Sequence, residues 1–119
     1  MGGMNDGFAP HFAPLPAPPY YAVIFTSQLA DDSADYAQMA AKMAALAQRQ
    51  PGYLGTESVR GAGGLGITVS YWKDEDSIKA WKAQANHLGA QKLGKKRWYK
   101  HYSLRIAKVE RAYSGPEGR

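Results

Sequence analysis

An α+β fold in the order β-α-β-β-α-β is predicted for this sequence, and three observations predict it. Two stretches of helical apolar spacing, residues 33–49 and the stretch opening at "KDEDS", are each flanked by runs of β-branched and aromatic residues. The two middle runs are separated only by a cluster of glycines, which suits a hairpin and leaves no room for a helical crossover. The chain has 119 residues, the size of one domain. This order is the ferredoxin-like split βαβ arrangement, a four-stranded antiparallel sheet with both helices on one face.

Residues 1–19 hold five of the seven prolines and no periodic apolar pattern. They read as an extended, polyproline-like arm outside the core. The first strand is "YYAVIFTSQL", residues 20–29, whose continuous Val23-Ile24-Phe25 middle suits a strand covered on most of its area. Asp31 and Asp32 offer N-caps to a helix over 33–49. There Tyr36, Met39, Ala40, Met43, Leu46 and Ala47 fall on one face, and Pro51-Gly52 stops it.

The second and third strands, about 53–60 and 66–73, flank Gly61, Gly63 and Gly66. These three glycines match G-x-G-x-x-G, the dinucleotide fingerprint. That motif acts only where the last glycine opens a helix, whose N-terminus then meets the pyrophosphate. Here Gly66 is followed by Ile67-Thr68-Val69-Ser70-Tyr71-Trp72, a strand composition, so the glycines make a turn. Asp74 or Asp76 caps the second helix, where Ile78, Trp81, Ala85 and Leu88 share a face and Gly89 interrupts the pattern. Residues 90–99 are expected to form a short irregular helical segment, and 102–113 the final strand. The domain therefore spans 20–113, and 114–119, "SGPEGR", is a tail disordered by composition. Two helices on one face leave the other sheet face bare, and a second copy of the chain is the simplest cover, giving a homodimer.

Cysteine is absent, which removes disulfides and thiolate chemistry and fits a cytoplasmic location. No stretch reaches the roughly 18 apolar residues of a membrane span. Residues 1–91 carry six Lys/Arg against eight Asp/Glu, whereas 92–119 carry nine against two. The basic excess thus sits at the end of the chain, much of it in "KLGKKRWYKHY". Basic residues among Trp98, Tyr99 and Tyr102 suit three uses: nucleic-acid binding, a solvated face anchored by aromatics, and a cationic rim for an acidic small molecule. No known nucleic-acid module surrounds them, so nucleic acid is not the expected partner. His11 and His101 have no partners at metal spacing, and no metal site is expected.

"QPGYLGTES" followed by "GITVSYWKDEDSIKAWKAQANH" resembles the antibiotic biosynthesis monooxygenase superfamily. The pattern is Pro-Gly-aromatic-Leu-Gly, a hairpin, a strand ending in aromatic-Trp, an acidic cap, and a Trp nine residues on. The resemblance covers residues 20–113. It implies a dimeric α+β barrel in which two sheets face each other. It also implies either oxidation of polycyclic aromatics without metal or prosthetic group, or haem binding and degradation. In the haem-degrading members a tryptophan on the second helix presses on the porphyrin, and Trp81 matches it. Their proximal histidine, ten residues later, is matched by Gln91, with His87 the nearest imidazole. Their first-strand asparagine is matched by none of Ile24, Phe25, Thr26 or Ser27. The expected site is therefore an apolar pocket for an aromatic small molecule, with no cofactor, lined by Trp72, Trp81, Gln91 and Trp98. Two functions fit the resemblance: a cofactor-independent monooxygenase or degenerate relative, and a non-catalytic small-molecule or haem-binding stress-response protein of the same fold. His87 and Tyr99 are its candidate catalytic groups. An imidazole with an unperturbed pKa near ~6.5 is suited to accept a phenolic proton.

Overall fold

The structure, a computed structural model, describes residues 12–31, 35–93 (the backbone alone from 87 onward) and 98–116. Its elements are β1 (Tyr20–Leu29), α1 (Tyr36–Gln48), β2 (Tyr53–Arg60), β3 (Leu65–Trp72), α2 (Glu75–Leu93) and β4 (Tyr99–Val109). The strands form one antiparallel sheet in the order β2-β3-β1-β4. This is the ferredoxin-like α+β fold that the pattern predicts. The glycine motif is a turn. Gly61 N–H donates to the Leu65 carbonyl at 2.9 Å and Gly64 N–H to that of Gly61 at 3.0 Å, with Gly64 at φ +95°.

The start of α2 follows its cap. Asp74 Oδ1 accepts from Ser77 N–H at 2.8 Å and from Ser77 Oγ at 2.7 Å, closing the first turn of α2. These bonds hold the Asp74 carboxyl below its usual range. The start of α1 differs from expectation. It begins at Tyr36 with Asp35 at the cap position, and Asp32 lies outside the described residues. Asp35 makes no side-chain cap bond, and its Oδ1 instead accepts the Trp98 indole N–H at 2.8 Å.

Two further expectations are corrected near the chain's end. α2 runs through Gly89 to Leu93, so one glycine does not break a helix carried by neighbouring turns. Trp98 and Tyr99 are not helical. β4 begins at Tyr99 because Ala30 N–H reaches the Trp98 carbonyl at 2.7 Å, so pairing with β1 starts three residues earlier than its apolar alternation suggests.

Register assigns the two sheet faces. Tyr21, Val23 and Phe25 of β1 share the helix side with Trp72, Ser70 and Thr68 of β3 and with Lys108, Ile106 and Leu104 of β4. The core forms there, where Trp72, with 0% of its surface exposed, packs with Val23, Ala47, Ile78 and half-buried Tyr21, Tyr53 and Trp81. The helices pack on each other, α1 on β2 and α2 on β3. Among the described residues no helix lies comparably over β4, and Leu104 and Ile106 stay 41% and 48% exposed.

The opposite face is not wholly bare within the chain, as the element order alone would have it, because the arm covers part of it. Ala13 N–H donates to Glu57 Oε2 at 3.1 Å. A Cβ at Gly55 would lie 2.9 Å from Ala13 Cβ and 3.4 Å from Leu15 Cδ2. The missing side chain of Gly55 is what lets the arm lie this close. Beyond the arm this face still exposes Val59, Leu65 and Ile67.

Candidate functional site

The helix side of the sheet carries two aromatic groups with a mixed floor between them. The first stands at the β3–α2 corner. Trp72 stacks on Trp81 with centroids 6.0 Å apart and planes at 19°, and Tyr53 meets Trp72 edge-on at 5.5 Å. Ile78 and Trp81 are three apart, so both face the sheet from one stripe of α2. Ser70 Oγ accepts the buried Trp72 indole N–H at 2.9 Å. The floor beside this group is hydroxylic, not uniformly apolar. Ser58 and Thr68 hydrogen-bond at 2.7 Å, as do Tyr53 and Thr56. Towards β1 and β4 the floor turns apolar, with Val23, Phe25, Leu104 and Ile106.

The second group stands at the other end of β1. Phe25, Tyr99 and Tyr102 form an aromatic triangle with centroids 5.3, 5.6 and 6.0 Å apart, and Tyr36 of α1 meets Tyr99 edge-on at 5.7 Å. Burial, then the hydrogen bond with Tyr36, raises the Tyr99 pKa well above that of a free phenol. Tyr99 is therefore a proton holder at any working pH.

Arg60, which no sequence motif singles out, ties this end together. Its Nη1 donates to the carbonyls of Ser27 (3.2 Å) and Gly64 (2.5 Å). Its Nη2 donates to Ser27 Oγ (2.7 Å) and Tyr36 Oη (3.2 Å), and its guanidinium lies 5.1 Å from the Tyr36 ring centroid. The guanidinium occupies the space that Gly66 leaves, since a Cβ there would come within 2.6 Å of Arg60 Cζ. A glycine inside a strand signals such a close approach, and that was the available clue.

The expected site residues fall in three places. Trp72 and Trp81 are together in the first group, and Tyr99 is in the second. Trp98 is 5% exposed and fastened to Asp35. His87 and Gln91 are four apart in α2, hence on one helix face, and their side chains lie outside the described residues. Among the described residues no three His, Asp or Glu converge as a metal site would require. A depression of about 550 Å³ lies between the arm at Phe12–Pro14 and β2 at Tyr53–Thr56 and Ser58, and so borders the first group and its hydroxylic floor. The Tyr53 phenol is the titratable group in its walls.

The family model for antibiotic biosynthesis monooxygenase matches residues 19–93. The chain belongs to the antibiotic biosynthesis monooxygenase family. Within that family's range lie β1 to α2, including both aromatic corners except their β4 members. The chain is 49% identical over 96 residues to the uncharacterized protein YqjZ of Bacillus subtilis (strain 168), covering 81% of this chain and 84% of that one. It is similar in structure to a point mutant of SnoaB, a cofactor-independent oxygenase from Streptomyces nogalater. That match has TM-score 0.65 and 16% identity, over 78% of this chain and 95% of SnoaB. It is also similar to a point mutant of MhuD with two manganese protoporphyrin IX bound per active site. Here the TM-score is 0.62 and the identity 17%, over 80% of this chain and 99% of MhuD. At these identities the structural likeness establishes the family fold. No helix among the described residues is long and apolar enough to cross a membrane.

Proposed function

We propose that the protein is a cofactor-independent monooxygenase of an aromatic small molecule, which it holds on the helix side of the sheet between the Trp72–Trp81 and Tyr36–Tyr99 groups. The observation that carries this reading is the floor itself. Leu104 and Ile106 remain exposed on the helix side although they pair with core strand β1, which leaves apolar area for a flat ligand. The hydroxyls of Ser58, Thr68 and Ser70 supply orientation along one edge. Trp81, half-buried at the rim, supplies a stacking face.

The chemistry divides by proton affinity. Tyr99 holds its proton, so the Tyr36–Tyr99 pair acts as a donor that polarises a ligand oxygen. Proton acceptance falls to His87, with Gln91 on the same face of α2 as an amide partner for the ligand. Trp98 acts behind the site by holding the start of α1 against the start of β4. Loss of a phenolic or enolic proton leaves an electron-rich anion that reduces dioxygen directly. With anthrone as probe, one ketone and one dioxygen give one anthraquinone and one water. Oxygen uptake and product mass test this. The expected result is turnover that persists with chelators and falls at least about a hundredfold in His87→Ala. No uptake by the wild-type protein with anthrone or related polycyclic phenols sinks the reading.

Haem binding is the second reading, favoured by the likeness to MhuD and the placement of Trp81. Position 91 carries a carboxamide, which does not fit an axial iron ligand. We therefore expect no sharp histidine-ligated Soret band on mixing with hemin. A band that His87→Ala abolishes restores this reading.

A homodimer through the opposite sheet face completes the proposal. Val59 (70% exposed), Leu65 and Ile67 line that face and suit burial against a second copy.

A further inference from the structure

Resting on the cleft reading above, we infer that Tyr36 is a further catalytic residue: its hydroxyl binds the ligand's acidic oxygen, with Arg60 and Tyr99 as its positioning residues. Two observations converge on this hydroxyl. Arg60 Nη2 donates to Tyr36 Oη at 3.2 Å, while the rest of its guanidinium fork is fastened to the Ser27 and Gly64 carbonyls and to Ser27 Oγ. Tyr99 lies edge-on to the Tyr36 ring. A phenol oxygen has two acceptor sites and one proton. With one acceptor site engaged by Arg60, the Tyr36 hydroxyl keeps its proton to donate to a further partner.

Charge gives this donor a preferred partner. Arg60 is half-buried, and among the described residues its partners are neutral carbonyls, hydroxyls and the Tyr36 ring, with no carboxylate. A partly desolvated cation without a counter-charge favours an anion nearby. The aromatic triangle of Phe25, Tyr99 and Tyr102 adjoins Tyr36, and Tyr102 is 58% exposed, so a ring has access to this corner. The occupant that matches apolar walls, a hydroxyl held by Arg60 and a cation with no carboxylate among its described partners is a phenolate or enolate oxygen on an aromatic ring. Its conjugate acid ionises more readily when bound here than in water.

The test uses the full-length protein and para-nitrophenol, whose phenolate has its own absorption band. Quenching of tryptophan fluorescence reads binding, and absorbance against pH reads ionisation of the bound probe. We expect the wild-type protein to raise the probe's acid dissociation constant by about tenfold, the scale of one hydrogen bond to a charged group. Tyr36→Phe, which keeps the ring and leaves Arg60 on Ser27 and Gly64, should abolish the rise while quenching persists. Arg60→Lys keeps the charge but loses the fork, and should give a smaller rise with secondary structure intact by circular dichroism. A wild-type-like rise in Tyr36→Phe overturns the assignment alone. A probe that quenches no tryptophan in the wild-type protein overturns the assignment together with the cleft reading.

Discussion

Gly66 and Arg60 show how one missing side chain places another. Gly66→Ala puts a methyl group within 2.6 Å of the guanidinium carbon. The far end of an arginine is free to swing aside, so the backbone survives and the hydrogen bonds to Ser27, Gly64 and Tyr36 are what is lost. We expect a stability loss of about 1–2 kcal/mol by urea unfolding, together with a smaller rise in probe ionisation, as in Arg60→Lys. Tyr71 makes a different residue-scale prediction. Burial, then its 2.7 Å hydrogen bond to Glu57 Oε1, raises its pKa far above a free phenol's. A pKa raised on folding contributes stability that is complete below the unfolded value, near ~10, and declines as pH rises beyond it. Thermal unfolding between neutral pH and pH above ~10 should therefore show an alkaline decline that Tyr71→Phe flattens. An unchanged slope in that variant contradicts a raised Tyr71 pKa.

Helix α2 depends on its first turn, and Asp74 sets that turn through both donors of Ser77. Asp74→Ala should lower the melting temperature by a few degrees near neutral pH. The Asp74 pKa is depressed on folding, so this contribution is present above the ordinary carboxylate range and vanishes as pH falls through the lowered value. Wild type and variant should therefore converge in acid. Gly52 guards the same turn, since at φ +86° a Cβ would sit 2.0 Å from Ser77 Oγ. The elements most legible in the sequence are those bounded by such local chemistry: β2 between Pro51-Gly52 and the glycine turn, β3, and the start of α2. Local signals fail where partners are distant in sequence. The start of β4 is set by Ala30, and the Asp35 carboxylate is claimed by Trp98, 63 residues away. Arg60 was hidden for the same reason, because apart from the Gly64 carbonyl its partners lie on β1 and α1.

At the scale of the whole molecule, both sheet faces retain exposed apolar area, and each suits a different occupant. On the face away from the helices, Val59, Leu65 and Ile67 call for a second copy, and the arm at Ala13–Leu15 lies beside them on β2. Light scattering at micromolar concentration should give roughly twice the monomer mass. A stable, well-folded monomer contradicts this. Deleting residues 1–19 should leave the fold intact, at a cost of a few degrees in melting temperature, because the described residues of the arm add the Glu57 contact and the cover over Gly55 but no strand. On the helix side, Leu104 and Ile106 call for a flat ligand. A crystal structure with a polycyclic phenol bound tests that claim most directly. The ring system should lie over Phe25, Leu104 and Ile106, between Trp81 and Tyr36, with its oxygen at Tyr36 Oη. A ligand bound on the opposite sheet face, or in the depression between the arm and β2, would contradict it.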